Sequence, residues 1–231
     1  MALAFADDRL DATNRARIAF NAGVAAMDIG RLEIALARLD TAIALDAALA
    51  PARVSRAFVR ARRGDPDGAL EDYGAAIEAD PGSAAPYLGR GRLLLDIGQP
   101  EAAIADFDAA LEREGDWAAS YLERGRAQFA LQRWGEAERD FSAVIARNPR
   151  SATAWLSRAE ARAAAGGSGA RNDFDRAVAL APEWAAARYA RGVFLDDTGA
   201  TAQAEADFLR AYELGFRSPD LEARVRSLSG G

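Results

Sequence analysis

The chain has 231 residues, half of them hydrophobic, a formal net charge of -6, and neither cysteine nor histidine. These absences exclude a disulfide framework, a thiol nucleophile and imidazole metal ligation, and the absence of lysine removes Schiff-base chemistry and a phosphate-loop lysine. The acidic balance opposes non-specific nucleic-acid binding, which depends on excess cationic charge.

The resulting expectation is a chain that is not an enzyme, with no catalytic residues, no cofactor, no metal and no nucleic-acid partner. No apolar run reaches the roughly 18 to 20 residues needed to span a bilayer, so no membrane insertion is expected. The opening MALAFADD is too short and too acidic for a secretory leader. The expected location is the cytoplasm, or the periplasm if a leader was removed.

In chain order, residues 1 to 15 form an arm or a leading helix, carrying Phe5 and Leu10 among acids. From Ala16 onward one pattern recurs, seen most clearly in 84–117. Its eighth position is small throughout: Gly23, Ala57, Gly91, Gly125, Ala159 and Gly192. Its twentieth is always alanine: Ala35, Ala69, Ala103, Ala137, Ala170 and Ala204. Its twenty-fourth is large and apolar: Leu39, Tyr73, Phe107, Phe141, Phe174 and Phe208. The spacings Pro81 to Gly115, Gly115 to Pro149 and Pro149 to Pro182 are 34, 34 and 33, so one unit has lost a residue.

The units therefore run 16–49, 50–83, 84–117, 118–151, 152–184 and 185–217. Gly64, Asp65 and Pro66 supply a helix stop, an N-cap and a first-turn proline. Gly98, Gln99 and Pro100 repeat that chemistry in the third unit, and Gln132 replaces the glycine in the fourth. The fifth, which is the short one, carries Gly166-Gly167-Ser168-Gly169 in its turn. This run follows a helix and no lysine follows it, which argues against a phosphate-binding loop. In 218–231, Ser218 and Pro219 start a capping helix whose Leu221, Val225 and Leu228 share one face, and SLSGG forms a disordered tail.

A helical hairpin of 34 residues, with small residues at two crossing positions and an aromatic later on, resembles the tetratricopeptide repeat (TPR) family of bacterial type. The resemblance covers residues 16 to 217. It implies an all-α fold, a right-handed α-solenoid of six TPR helix-turn-helix repeats closed by the C-terminal capping helix. Arg56, Arg90, Arg124, Arg158 and Arg191 recur at the seventh position, and Asp72, Asp106, Asp140, Asp173 and Asp207 just before the aromatic. The first unit lacks both partners, and this covariation predicts an Arg–Asp pair between the two helices of each hairpin.

In the family, the first helix of each repeat lines a concave groove. Carried over, the groove positions give Phe20, Val24 and Met27, then Phe58 and Arg62, then Leu88, Arg92 and Leu95. The later repeats contribute Leu122, Arg126, Phe129, Glu160 and Tyr189. Two readings stand for these apolar positions: a surface that holds a partner, or packing between repeats. The lysine and asparagine with which some family members clamp a C-terminal carboxylate are missing. The resemblance thus implies a non-catalytic scaffold or adaptor whose groove binds another protein or peptide, with Arg92 and Arg126 receiving an acidic group. The alternatives are a pilotin-like assembly or secretion factor of the bacterial envelope, and a self-associating structural array.

Overall fold

The computed structural model describes residues 11–114 and 118–229, and within them the backbone forms thirteen helices and no strand. They are α1 (Ala12–Asp28), α2 (Leu32–Leu45), α3 (Ala50–Arg62), α4 (Pro66–Ala79), α5 (Ala85–Asp96), α6 (Pro100–Glu114) and α7 (Ala118–Ala130). There follow α8 (Trp134–Arg147), α9 (Ala152–Ala164), α10 (Ala170–Leu180), α11 (Ala185–Asp197), α12 (Thr201–Glu213) and α13 (Pro219–Ser229). The fold is an all-α solenoid of helix pairs. Of the expected arm, residues 12–15 form the first turn of α1, whose Asp11 side chain accepts from the Asn14 amide at 2.7 Å, and 1–10 lie outside the described residues. The expected tail is shorter than the sequence implies, because Ser227 and Leu228 continue α13 to Ser229. Gly115, which closes the third unit in the sequence pattern, also lies outside the described residues.

The chain divides into two compact units, Met1–Ser120 and Tyr121–Gly231. In the first, α1 packs on α2, α3 on α4 and α5 on α6, while α2 meets α3 and α4 meets α5. In the second, α9 packs on α10 and α11 on α12, with α13 against α12.

The crossing positions explain why each hairpin closes. A Cβ added at Gly91 would sit 2.6 Å from the Phe107 ring, one at Gly125 2.6 Å from Phe141, and one at Gly192 2.7 Å from Phe208. The aromatic of the second helix thus lies directly on the backbone of the first, and glycine's helix penalty of about 1 kcal/mol is offset by that burial. Phe107 is fully buried, as are the alanines at the twentieth position.

The expected Arg–Asp pairs form in all five hairpins that carry them. In each, arginine Nε donates to one carboxylate oxygen and Nη2 to the other, at 2.6 to 2.8 Å. All five aspartates are buried. Hydrogen bonds to Asp72, Asp106 and Asp207 hold the Arg56, Arg90 and Arg191 guanidiniums above their ordinary pKa, against the opposing effect of burial. The third nitrogen can reach back to the preceding hairpin: Arg56 Nη1 to Asp40 at 2.7 Å, Arg158 Nη1 to Ser142 at 3.0 Å and Arg191 Nη1 to Asp175 at 2.9 Å. At the same register before Arg90 stands Gly74, which has no side chain to accept such a bond.

The turns follow the sequence chemistry. Asp65 caps α4 by accepting from the Gly68 amide at 3.0 Å, and Ser218 caps α13 by accepting from the Leu221 amide at 3.1 Å. Gly30, Gly64, Gly98, Gly166 and Gly199 share one turn position and all have positive φ. Gln132 occupies that position in the fourth hairpin with φ 58°, the one non-glycine in this region among the described residues. Gln132→Gly is therefore expected to raise stability by about 1 kcal/mol, the strain of a side chain in the left-handed region. A urea midpoint that falls instead would show that Gln132 makes compensating contacts. The shortened fifth hairpin absorbs its missing residue in the turn. Its second helix starts only at Ala170, after Gly169 at φ 90°, and Asp173 still meets Arg158 although only 15 residues separate them.

Candidate interaction surface

The surface begins with a packing irregularity in the first unit. Where Ala57 replaces the crossing glycine, the partnering aromatic is Tyr73, and it reaches toward the next hairpin. A Cβ at Gly89 on α5 would lie 2.5 Å from the Tyr73 ring. Gly89 thus packs its backbone directly on the Tyr73 ring, which stays buried, and a cavity of about 530 Å³ opens beside it, lined by Phe58, Arg62, Tyr73, Gly89, Arg92 and Ile97 among others. A second cavity of about 440 Å³ shares Phe58, Tyr73, Gly89 and Arg92 and extends to Met27, Val54 and Leu88.

The walls are apolar and the rim is charged. Phe58 is 44% exposed and Ile97 39%, both large side chains left in water by the fold. The Arg62 guanidinium lies 5.8 Å from the centre of the Phe58 ring, within cation–π range. Burial pushes the Tyr73 hydroxyl up to about 12, partly opposed by the positive charge of Arg92, so it stays neutral and available as a hydrogen-bond donor at physiological pH.

Of the residues expected in the groove of this unit, Met27, Phe58, Arg62, Leu88 and Arg92 come together around these cavities. Leu88 is only 5% exposed, and Phe20 and Met27 pack on the core of Ala19, Leu39 and Val59, so packing between helices accounts for much of their apolar character. Val24 and Leu95 are half-buried and line neither cavity. Tyr73, Gly89 and Ile97 were absent from the expected set. A usable signal existed for the first two: Tyr73 is the one tyrosine at its repeat position, facing an alanine, and Gly89 follows it by 16 residues.

In the second unit, Arg126, Phe129 and Glu160 line a cavity of about 270 Å³ together with Phe141, Leu156, Ser157 and Trp184. Arg126, expected to receive an acidic group from a partner, already donates from Nη1 to Glu123 on its own helix at 3.1 Å. Leu122 and Phe129 pack against Ala137, Phe141 and Ala161, with the Phe129 ring edge-on to Trp134 at 4.7 Å. Tyr189 is covered by the C-terminal segment: its hydroxyl donates to Asp220 of α13 at 2.9 Å and its ring stacks on Phe216 at 4.8 Å. Arg224 of α13 pairs with both Asp196 and Asp220.

Among the described residues no cluster of carboxylates is suited to a metal ion, and no helix is long and apolar enough to cross a membrane.

Sequence and structure comparisons agree on the relationship. Tetratricopeptide repeat profiles match residues 20–84, 122–167 and 168–220, and a second such profile matches 60–128. No curated protein sequence matches significantly. Among solved structures, the chain is similar to PilW, described as a widely conserved type IV pilus biogenesis factor, with TM-score 0.81 at 21% identity over 91% of this chain and 98% of that one. It is similar to YrrB, described as a TPR protein with an unusual peptide-binding site, with TM-score 0.65 at 22% identity over 82% and 96%. It is also similar to a tetratricopeptide repeat protein from Parabacteroides merdae, with TM-score 0.69 at 21% identity over 92% and 83%. These likenesses are of fold. The hairpins with their small crossing residues, and profile matches over well more than half of its length, establish that the chain belongs to the tetratricopeptide repeat family.

Proposed function

We propose that the protein is a non-catalytic adaptor that holds a segment of a partner protein in the groove of its first unit. The observation that carries this reading is the pair of adjoining cavities floored by Tyr73, with Phe58 exposed at their edge and Arg62 and Arg92 on the rim. Aromatic and arginine side chains around a desolvated pocket are the groups that dominate binding energy at protein interfaces. The segment places an apolar side chain over Tyr73 and Gly89 and sets an acidic group toward Arg92 and Arg62. A peptide-binding protein of the same fold, YrrB, supports the class of ligand without assigning residues.

The test is selection from a displayed library of random peptides, followed by affinity measurement on Phe58→Ala and Arg92→Glu variants with intact helical circular dichroism. Selected peptides are expected to carry a large apolar residue next to Asp or Glu. Each substitution is expected to weaken binding roughly tenfold or more, as loss of an aromatic or arginine anchor does. Peptides bound equally well by Arg92→Glu would remove the acidic contact, and failure to select any would remove the groove as a peptide site.

A further inference from the structure

The cavity of the second unit has a different charge balance. Arg126 carries one positive charge on its rim and donates to Glu123 on its own helix at 3.1 Å. That leaves the Glu160 carboxylate, which makes no hydrogen bond or ion pair among the described residues. Glu160 is half-buried, and a carboxylate partly withdrawn from water without protein donors is costly. Burial accordingly pushes the Glu160 carboxyl up, and the more distant charge of Arg126 opposes this only in part. Around it stand the rings of Phe129, Phe141 and Trp184, with the Ser157 hydroxyl as a further acceptor.

An anion entering here meets the Glu160 carboxylate, whose charge Arg126 offsets only in part, and a plain apolar group withdraws that carboxylate further from water. A cation satisfies both features, pairing with Glu160 while its flat or compact head lies on the aromatic faces. A guanidinium suits the site better than an ammonium, because it can pair with Glu160 and still donate to Ser157.

We propose that this cavity is a receptor for a cationic side chain, arginine above lysine, supplied by a partner protein. The proposal rests on the reading of the chain as a binder of partner segments, and it assigns the second unit a preference opposite to that of the first.

The test uses single-residue probes, so its outcome does not depend on whether a whole segment is captured. N-acetylargininamide is titrated into the full chain while the indole N–H resonances are followed, with that of Trp184 assigned from Trp184→Phe. A saturable shift of the Trp184 signal is expected. N-acetylcitrullinamide, which keeps the shape and loses the charge, is expected to bind roughly tenfold more weakly, in line with the loss of a charge-assisted bond. Glu160→Gln, which changes one atom and keeps the packing, is expected to abolish the difference between the two probes. No shift with the arginine probe, an equal shift with citrulline, or discrimination that survives in Glu160→Gln would each overturn the proposal. A cavity that answers to arginine while displayed peptides fail to select would leave the fault with the first-unit groove alone.

Discussion

Arg90→Ala is expected to cost about 3 kcal/mol of stability, near the low end of the range for stripping one partner from a buried pair. Asp106 is 5% exposed and, among the described residues, pairs with Arg90 alone. Removing the arginine leaves a carboxylate inside the hairpin with no donor in reach. The same change at Arg158 is expected to cost less, about 1 to 2 kcal/mol, because Asp173 keeps a bond from Arg162 Nη1 at 2.8 Å. Replacing both Arg90 and Asp106 by leucine should recover most of the loss, since apolar pairs of similar bulk often match a buried ion pair. Urea unfolding followed by circular dichroism gives the comparison. Equal midpoints for Arg90→Ala and the parent would mean that the pairs contribute neither energy nor register.

The second large effect is expected at the hairpin crossing. Phe107 is fully buried against Gly91, and Phe107→Ala should cost about 4 kcal/mol through lost transfer energy and the cavity left behind. Gly91→Ala is expected to destabilise by about 1 to 3 kcal/mol, although alanine is the better helix former, because its Cβ would fall 2.6 Å from a ring with nowhere to move. Gly91→Ala combined with Phe107→Leu should be less than additive, since the smaller side chain makes room for the Cβ. The first hairpin already uses leucine at this crossing, with Leu39 set against Gly23. A Gly91→Ala variant more stable than the parent would show that the crossing is looser than its geometry implies.

The helices were legible in the sequence because each rests on local rules repeated six times. The crossing residues, the turn glycines and the Arg–Asp partners all lie at fixed spacings, and the fifth hairpin keeps its pair at one residue less. The groove was legible only in part, because an apolar residue on the first helix of a hairpin satisfies two demands with one pattern. Leu88 and Leu122 pack into cores while Phe58 stays exposed, and nothing in their spacing separates them. Arg126 illustrates the same limit for charge. Whether an arginine faces a partner or a glutamate three residues earlier depends on rotamers that the periodicity does not encode. Tyr73 was hidden because its repeat position marks a core aromatic, and only the joint presence of Ala57 and Gly89 turns it toward a cavity.

Gly74 carries a mechanical consequence. Elsewhere within the two units, an arginine ties its hairpin to the one before through a third hydrogen bond, to Asp40, Ser142 or Asp175. Between the second and third hairpins that tie has no acceptor, and the same seam carries the two cavities around Tyr73. The seam proposed to hold a partner segment thus lacks a bond that the other seams within the two units possess. Within the first unit, that seam is therefore expected to yield more easily than the one between the first and second hairpins, where Arg56 reaches Asp40.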